Sequence, residues 1–290
     1  MLLLAIDTIL TRLDAGQRAQ VTGPEVHQPA LDMDSWRPGQ LFRSSAFGLH
    51  VARGPLRAKL ELAGPSWALV VPLGDGVELT LPEQASNSAV LERGDTVLFA
   101  PGARGVVDLT ADAALELIVA PPQNAGALSP LAAHESVVPC GLTWLVRRNQ
   151  VEPALSLRDK VKIAEGNLWR PQAPPGVWSA GSEILSEAVA FGFFRTGAPE
   201  TAHQHERSWE LYHVVEGQLC LNVRSHRLGP WEPVVLTSSD VLVLPPGAAH
   251  LVDTGCRHLS MAVQAPPAIS DRETASFTSG DPSLDLPFDD

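Results

Sequence analysis

The stretch GAPETAHQHERSWELYHVVEG, residues 197–217, decides how this chain is read, because it places His203, His205 and Glu210 close together. A fourth candidate, His250, closes the later segment LPPGAAH. Three imidazoles and one carboxylate are what a divalent transition metal takes from a protein while keeping one or two positions open for chemistry. On a β-strand, residues two apart face the same side, so His203 and His205 aim at one point from a single strand. Glu210 lies an odd number of residues beyond His205, and on one continuous strand it would face away. A bend at Glu206-Arg207-Ser208 that starts a neighbouring strand brings it back.

The stretch resembles the first motif of the cupins, G-x5-H-x-H-x4-E-x6-G, with Gly197, His203, His205, Glu210 and Gly217 in register. The second cupin motif, G-x5-P-x-G-x2-H-x3-N, is matched by Pro245, Gly247 and His250. It departs at Ser239, where glycine is usual, and at Thr254, where asparagine is usual; neither is a ligand position. The motifs span roughly residues 185 to 265, which is a specific signal. The resemblance implies a small antiparallel barrel of the double-stranded β-helix or jelly-roll kind. It also implies a metal inside that barrel, held by His203, His205, Glu210 and His250.

The chain repeats itself. GDTVLFAPGARG from Gly94 aligns with SDVLVLPPGAAH from Ser239, matching Asp95 to Asp240 and Gly102 to Gly247. WALVVPLGDGVELTL from Trp67 aligns with WELYHVVEGQLCLNV from Trp209. The two offsets, 145 and 142 residues, nearly agree, which is the mark of an internal duplication. In these alignments Glu61, Ala63, Ala68 and Gly105 stand opposite His203, His205, Glu210 and His250, so one possible ligand of four survives. The expected fold is all-β, with two tandem cupin barrels and few short helices. Residues 1–125 form a degenerate barrel without metal ligands, and 126–160 a linker with connecting strands. Residues 161–266 form the metal-binding barrel, and 267–290 a disordered acidic tail.

Composition narrows the function. The chain has 290 residues, 25 prolines and 23 glycines, as short strands joined by many turns require. A net charge of −12 argues against nucleic acid as a partner. Part of that charge lies in residues 271–290, where six acids face Arg272 alone. No segment is long and apolar enough to suggest a membrane partner; MLLLAIDTIL is too short and reads as a short helix or strand packed on the body. Cys140, Cys220 and Cys256 are odd in number and show no paired spacing, so the expectation is free thiols and a cytoplasmic location. The implied partner is a small-molecule substrate. A homodimer is compatible with the sequence, which does not show one.

Other residues extend the candidate site. Tyr212, the single tyrosine, lies two residues after Glu210 and turns to the same interior. It is a candidate acid or base beside Glu210, or an aromatic that fills the barrel. Phe191, Phe193 and Arg195 alternate along a strand leading into the motif. Facing inward, they form an apolar wall with a guanidinium that binds a substrate carboxylate or enolate. With Ala190, Gly192 and Phe194 inward instead, Arg195 is a surface charge; the sequence leaves this phase open. His213 should point away from the metal, to pack between the sheets or at a barrel–barrel contact. His258 reads as a surface or loop histidine.

Three imidazoles and a carboxylate leave a divalent ion with net positive charge, able to polarise a bound oxygen. With Fe(II), the favoured ion, the resemblance implies a dioxygenase acting on a small organic acid, ketone, phenol or thiol. Mn, Ni, Zn and Cu also suit the ligands. A redox-neutral lyase or isomerase using Tyr212 as acid or base is the second reading, and a non-catalytic barrel that senses a small ligand is the third.

Overall fold

The computed structural model describes residues 2–5, 40–44, 46–62, 64–81, 88–122, 128–132, 134–156, 182–195, 202–224, 229–238, 240–253, 255–267 and 272–274. Gly197, Ser239, Thr254 and the tail beyond 274 lie outside them, as do residues 6–39.

Four antiparallel sheets are built from two copies of one strand order. The first copy comprises β2 (Gln40–Arg43), β3 (Gly48–Arg53), β4 (Leu56–Glu61), β5 (Trp67–Pro72), β6 (Val77–Thr80), β7 (Ser88–Leu91), β8 (Thr96–Phe99), β9 (Arg104–Leu109), β10 (Ala114–Ala120) and β11 (Leu128–Pro130). The second comprises β13 (Ser182–Leu185), β14 (Ala190–Phe194), β15 (His203–His205), β16 (Trp209–Gly217), β17 (Leu219–Arg224), β18 (Glu232–Leu236), β19 (Asp240–Leu244), β20 (Ala249–Val252), β21 (His258–Ala265) and β22 (Arg272–Thr274). Two strands, β1 (Leu2–Ala5) and β12 (Thr143–Val146), each precede one copy and join a sheet of the other. Among the described residues, one helix, α1 (Arg148–Ser156), follows β12.

The inner sheet of the first barrel runs β12-β8-β5-β10-β3-β2, and that of the second β1-β19-β16-β21-β14-β13. The outer sheets run β11-β4-β9-β6-β7 and β22-β15-β20-β17-β18. The exchange of β1 and β12 gives hydrogen-bond partners to β19 and β8, which would otherwise end their sheets as open edges. Thus β11 and β12, in the stretch expected to be a linker, complete sheets of the first barrel. Likewise Arg272–Thr274, in the expected disordered tail, form a strand on β15.

Residue choice follows layer. Outer strands face solvent on one side and alternate: β17, LCLNVR, buries every second residue. Inner strands are covered on both faces and read as continuous apolar runs, as in β10, ALELIVA. Alternation on the inner strands divides three cores. Leu60, Val70, Leu79, Phe99, Leu117 and their neighbours fill the first barrel. Tyr212, Val214, Leu221, Leu242 and Leu244 belong to the second. Trp67, Leu69, Ile118, Trp209, Leu211 and Met261 lie in a third core between the inner sheets. There Trp67 stacks on Trp144 at 5.9 Å, and Phe47 meets Trp209 edge-on at 6.3 Å. Packing is thus the role of both equivalent tryptophans.

The duplication is visible in the turns. Asp95 Oδ2 accepts from the Glu92 amide at 3.0 Å, and Asp240 Oδ2 from the Thr237 amide at 2.9 Å. Gly102 and Gly247 hold matching left-handed φ angles of 77° and 81°, which a side chain would strain.

Cys220 and Cys256 form a disulfide, with Cα atoms 5.9 Å apart. This corrects the expectation of free thiols and removes its argument for a reducing compartment. The pairing was illegible because 36 residues separate the cysteines and the sheet brings them together. Among the described residues, no helix is long and apolar enough to cross a membrane.

Candidate metal centre

His203 and His205 both point inward from β15, in the outer sheet, with Gln204 between them partly exposed. The chain then bends through residues 206–208, and β16 begins in the inner sheet. The change of sheet resets the alternation, so Glu210 faces the histidines. His250 comes from β20, directly across from His203. The preceding turn is tied to the same strand, since the Gly247 amide donates to the His205 carbonyl at 2.7 Å.

All four side chains are buried, and one ligand atom from each lies within 4.8 Å of the others. Two donors each about 2.1 Å from a shared ion sit at most about 4.2 Å apart, so the cluster needs an inward shift of a few tenths of an ångström to close on one cation. Glu210 Oε2 lies 2.8 Å from His250 Nε2 and 3.5 Å from His205 Nε2. Nδ1 of His250 stands 3.3 Å from the Ala248 carbonyl, which can only accept. With an ion bound, that nitrogen would keep its proton and Nε2 would offer a lone pair to the ion; without one, both ring nitrogens can carry protons and His250 is then positive. Burial pushes the Glu210 carboxyl up, but positive charge on His250 and His205, then on His203, outweighs it and holds the group far below the usual range. The buried carboxylate is thus kept ionised by the positive charge beside it. A buried site of three histidines and one glutamate could hold a metal ion.

One neighbour escaped sequence reasoning. Gln264 on β21 sits directly across from Glu210, and its amide donates to Glu210 Oε1 at 3.0 Å. Fifty-four residues separate the two, and no motif marks the glutamine.

The first barrel keeps the framework and loses every ligand. Leu60 pairs with Gly105 as His203 pairs with His250, so Leu60, not Glu61, occupies the first histidine position. Leu62, Ala68 and Gly105 follow for His205, Glu210 and His250, and Val119 stands for Gln264. Glu61 points outward to Lys59 and Arg104. This corrects the reading that left one possible ligand. A side chain begun at Gly105 would meet the Phe99 ring at 3.5 Å, so leucines and a phenylalanine fill the equivalent space.

The open phase of β14 is decided against the substrate-contact reading. Phe191 and Phe193 lie in the core between the barrels, and Arg195 pairs with Glu152 of α1. Phe194 faces the interior, with its ring 5.9 Å from that of Tyr212. The physical reason is that AFGFF is buried on both faces, so hydrophobicity cannot report its phase. Tyr212 is fully buried, with its ring 5.8 Å from His250. His258 is no surface residue: it is buried, packs on Phe194 at 5.1 Å and meets Ser260 Oγ at 2.9 Å. Burial first, then the charge of Arg195, lowers its pKa to about 4. His213 reaches the barrel–barrel layer, where its Nδ1 stands 3.6 Å from Glu116 Oε2.

No protein-family model and no curated protein matches the chain. Solved structures do match. The chain is similar to salicylate 1,2-dioxygenase from Pseudaminobacter salicylatoxidans, with a TM-score of 0.54 and 14% identity over 90% of this chain and 83% of that one. A protein of unknown function of the DUF861 family, from Pseudomonas syringae pv. tomato, gives 0.50 and 16% over 90% and 98%. A cupin 2 conserved barrel domain protein from Leptotrichia buccalis gives 0.45 and 11% over 78% and 86%. The fold is that of the cupins, in two copies. One copy carries a cluster of three histidines and a glutamate, and the other is filled with apolar side chains.

Proposed function

We propose that this protein is a mononuclear metal-dependent enzyme, an Fe(II)-dependent dioxygenase acting on a small organic acid, ketone, phenol or thiol. The observation that carries the reading is the convergence of His203, His205, Glu210 and His250 on one buried point. Bound there, iron would supply a charged centre with positions open for oxygen and a chelating substrate. The chain's own residues do the rest. Three neutral imidazoles and one carboxylate hold the ion and keep its net charge positive. Tyr212, with its ring 5.8 Å from that of His250, and Phe194 packed against it give the site an apolar flank, and they would take the substrate-contact role first expected of Phe191, Phe193 and Arg195. The likeness in fold to the salicylate dioxygenase named above supports this reading.

A redox-neutral lyase or isomerase is the second reading. It is favoured by the buried Tyr212 phenol, whose ring lies 5.8 Å from that of His250 in the same interior. Elemental analysis of protein purified without added metal, then oxygen-electrode assays of the iron-loaded protein on small acids, diketones and phenols, separates the two. Substrate-dependent oxygen uptake is expected. Turnover under argon that disappears in Tyr212→Phe would select the second reading. Saturable ligand binding without product would leave a non-catalytic role.

A further inference from the structure

We infer that Gln264 is a positioning residue that restricts Glu210 to ligation through one oxygen. The inference rests on the metal-site reading above. A carboxylate can bind a metal through one oxygen or both, and the choice sets how many positions stay open for substrate. In this site the two oxygens have different surroundings. Oε2 faces His250 at 2.8 Å and His205 at 3.5 Å, toward the shared point. Oε1 is turned to β21, where Gln264 Nε2 donates to it at 3.0 Å.

The identity of that donor follows from chemistry. An ionised carboxylate only accepts, so the glutamine must present its NH2 group and not its carbonyl. The same nitrogen is 3.4 Å from His205 Nε2, so the amide touches two of the four candidate ligands. Gln264 is itself more than nine-tenths buried, and its place opposite Glu210 is fixed by the β16–β21 register. Swinging Oε1 onto the ion would break a charge-assisted bond between two buried side chains. The first barrel supplies the contrast: with the ligands gone, the equivalent residue is Val119, an apolar side chain in the core of that barrel.

The test uses zinc, which is closed-shell and redox-silent, on the full chain. Zn(II) affinity is measured by chelator competition, and the carboxylate mode by metal-induced infrared difference spectra. One-oxygen ligation separates the antisymmetric and symmetric carboxylate stretches more widely than two-oxygen ligation does. Wild type is expected to show the wide separation. Gln264→Met, which keeps the length and removes the donor, should narrow it and weaken zinc by roughly 10- to 100-fold, the usual range for such outer partners. Gln264→Asn, which keeps the amide but withdraws it from reach, should behave likewise and guards against a folding defect in the first variant. Wild-type affinity and separation in both variants would overturn the role of Gln264 while leaving the metal site intact. Failure of the wild type to bind zinc, with His250→Ala no different, would remove the site and the inference together.

Discussion

Glu210 is held between two opposing effects. Burial favours its neutral acid, and three surrounding imidazoles favour its anion more strongly. Removing the charge without removing the volume should therefore separate electrostatics from packing. Glu210→Gln is expected to weaken metal binding less than His250→Ala does, because an amide oxygen still offers a lone pair, and to change turnover more sharply than affinity. His250→Ala should lose stoichiometric metal, and in metal-free form should still unfold cooperatively, within about 2 kcal/mol of metal-free wild type. Inductively coupled plasma analysis and urea unfolding read the two quantities. A His250→Ala protein that keeps a full metal complement would remove His250 from the ligand set. These four residues were legible in the sequence because ligand chemistry restricts residue type and strand geometry restricts spacing. Gln264 was not, because an amide is common anywhere and its meaning here comes only from what lies across the sheet.

At the level of strands, the outer sheets announced their orientation and the inner ones did not. LCLNVR alternates because solvent lies on one side, and its phase could be read directly. AFGFF is buried on both sides, so Phe191 and Phe194 were indistinguishable until the neighbouring barrel was in place. In β4 the strand LRAKLE mixes charged and apolar residues, so Glu61 aligns with a ligand position although it is an outward partner of Lys59 and Arg104. The disulfide belongs to this scale too. It joins β17 to the turn entering β21 across a separation of 36 residues. A closed loop of that size is worth roughly 3 to 4 kcal/mol through the unfolded chain. The double variant Cys220→Ser with Cys256→Ser, or wild type under reductant, should lose about that much in denaturant unfolding. Reductant should leave the double variant unchanged. Equal stability of wild type with and without reductant would show that the bond contributes nothing.

Across the whole molecule, the two barrels share an apolar layer that contains one buried acid and one buried imidazole. Glu116 comes from β10 and His213 from β16, the second of these two strands also carrying Glu210. Neither side chain has a hydrogen-bond partner among the described residues. Burial raises Glu116 to about 8, and burial with the charge of Arg93 lowers His213 to about 4. Both are therefore neutral near pH 7, and the contact is not an ion pair. The unfolded carboxyl loses its proton near 4.5, while the folded one keeps it to about 8. Stability from this group is complete below 4.5 and is lost as pH rises toward 8. His213 acts in the opposite sense: its unfolded imidazole takes a proton near 6.5 and the folded one resists to about 4, so stability is lost as pH falls through that window. Between pH 4.5 and 6.5 the two slopes oppose each other. From 6.5 to 8 only Glu116 acts, and the wild type should lose about 2 kcal/mol over that range. Glu116→Gln should flatten this fall; an unchanged slope in urea unfolding at pH 6.5, 7.25 and 8 would show that the carboxyl is solvated.

The sequence alone determined that the chain is all-β, that it is duplicated, and that four residues of the second copy form a candidate ligand set. It could do so because strand periodicity, turn glycines and metal coordination are local or motif-scale constraints written in residue type and spacing. Only the tertiary structure decided which face of β14 lines the barrel, that Cys220 meets Cys256, that β1 and β12 are exchanged between copies, and that Gln264 stands behind Glu210. Each of these depends on sheet register or on a second covering layer, contacts between residues tens of positions apart that leave no pattern along the chain.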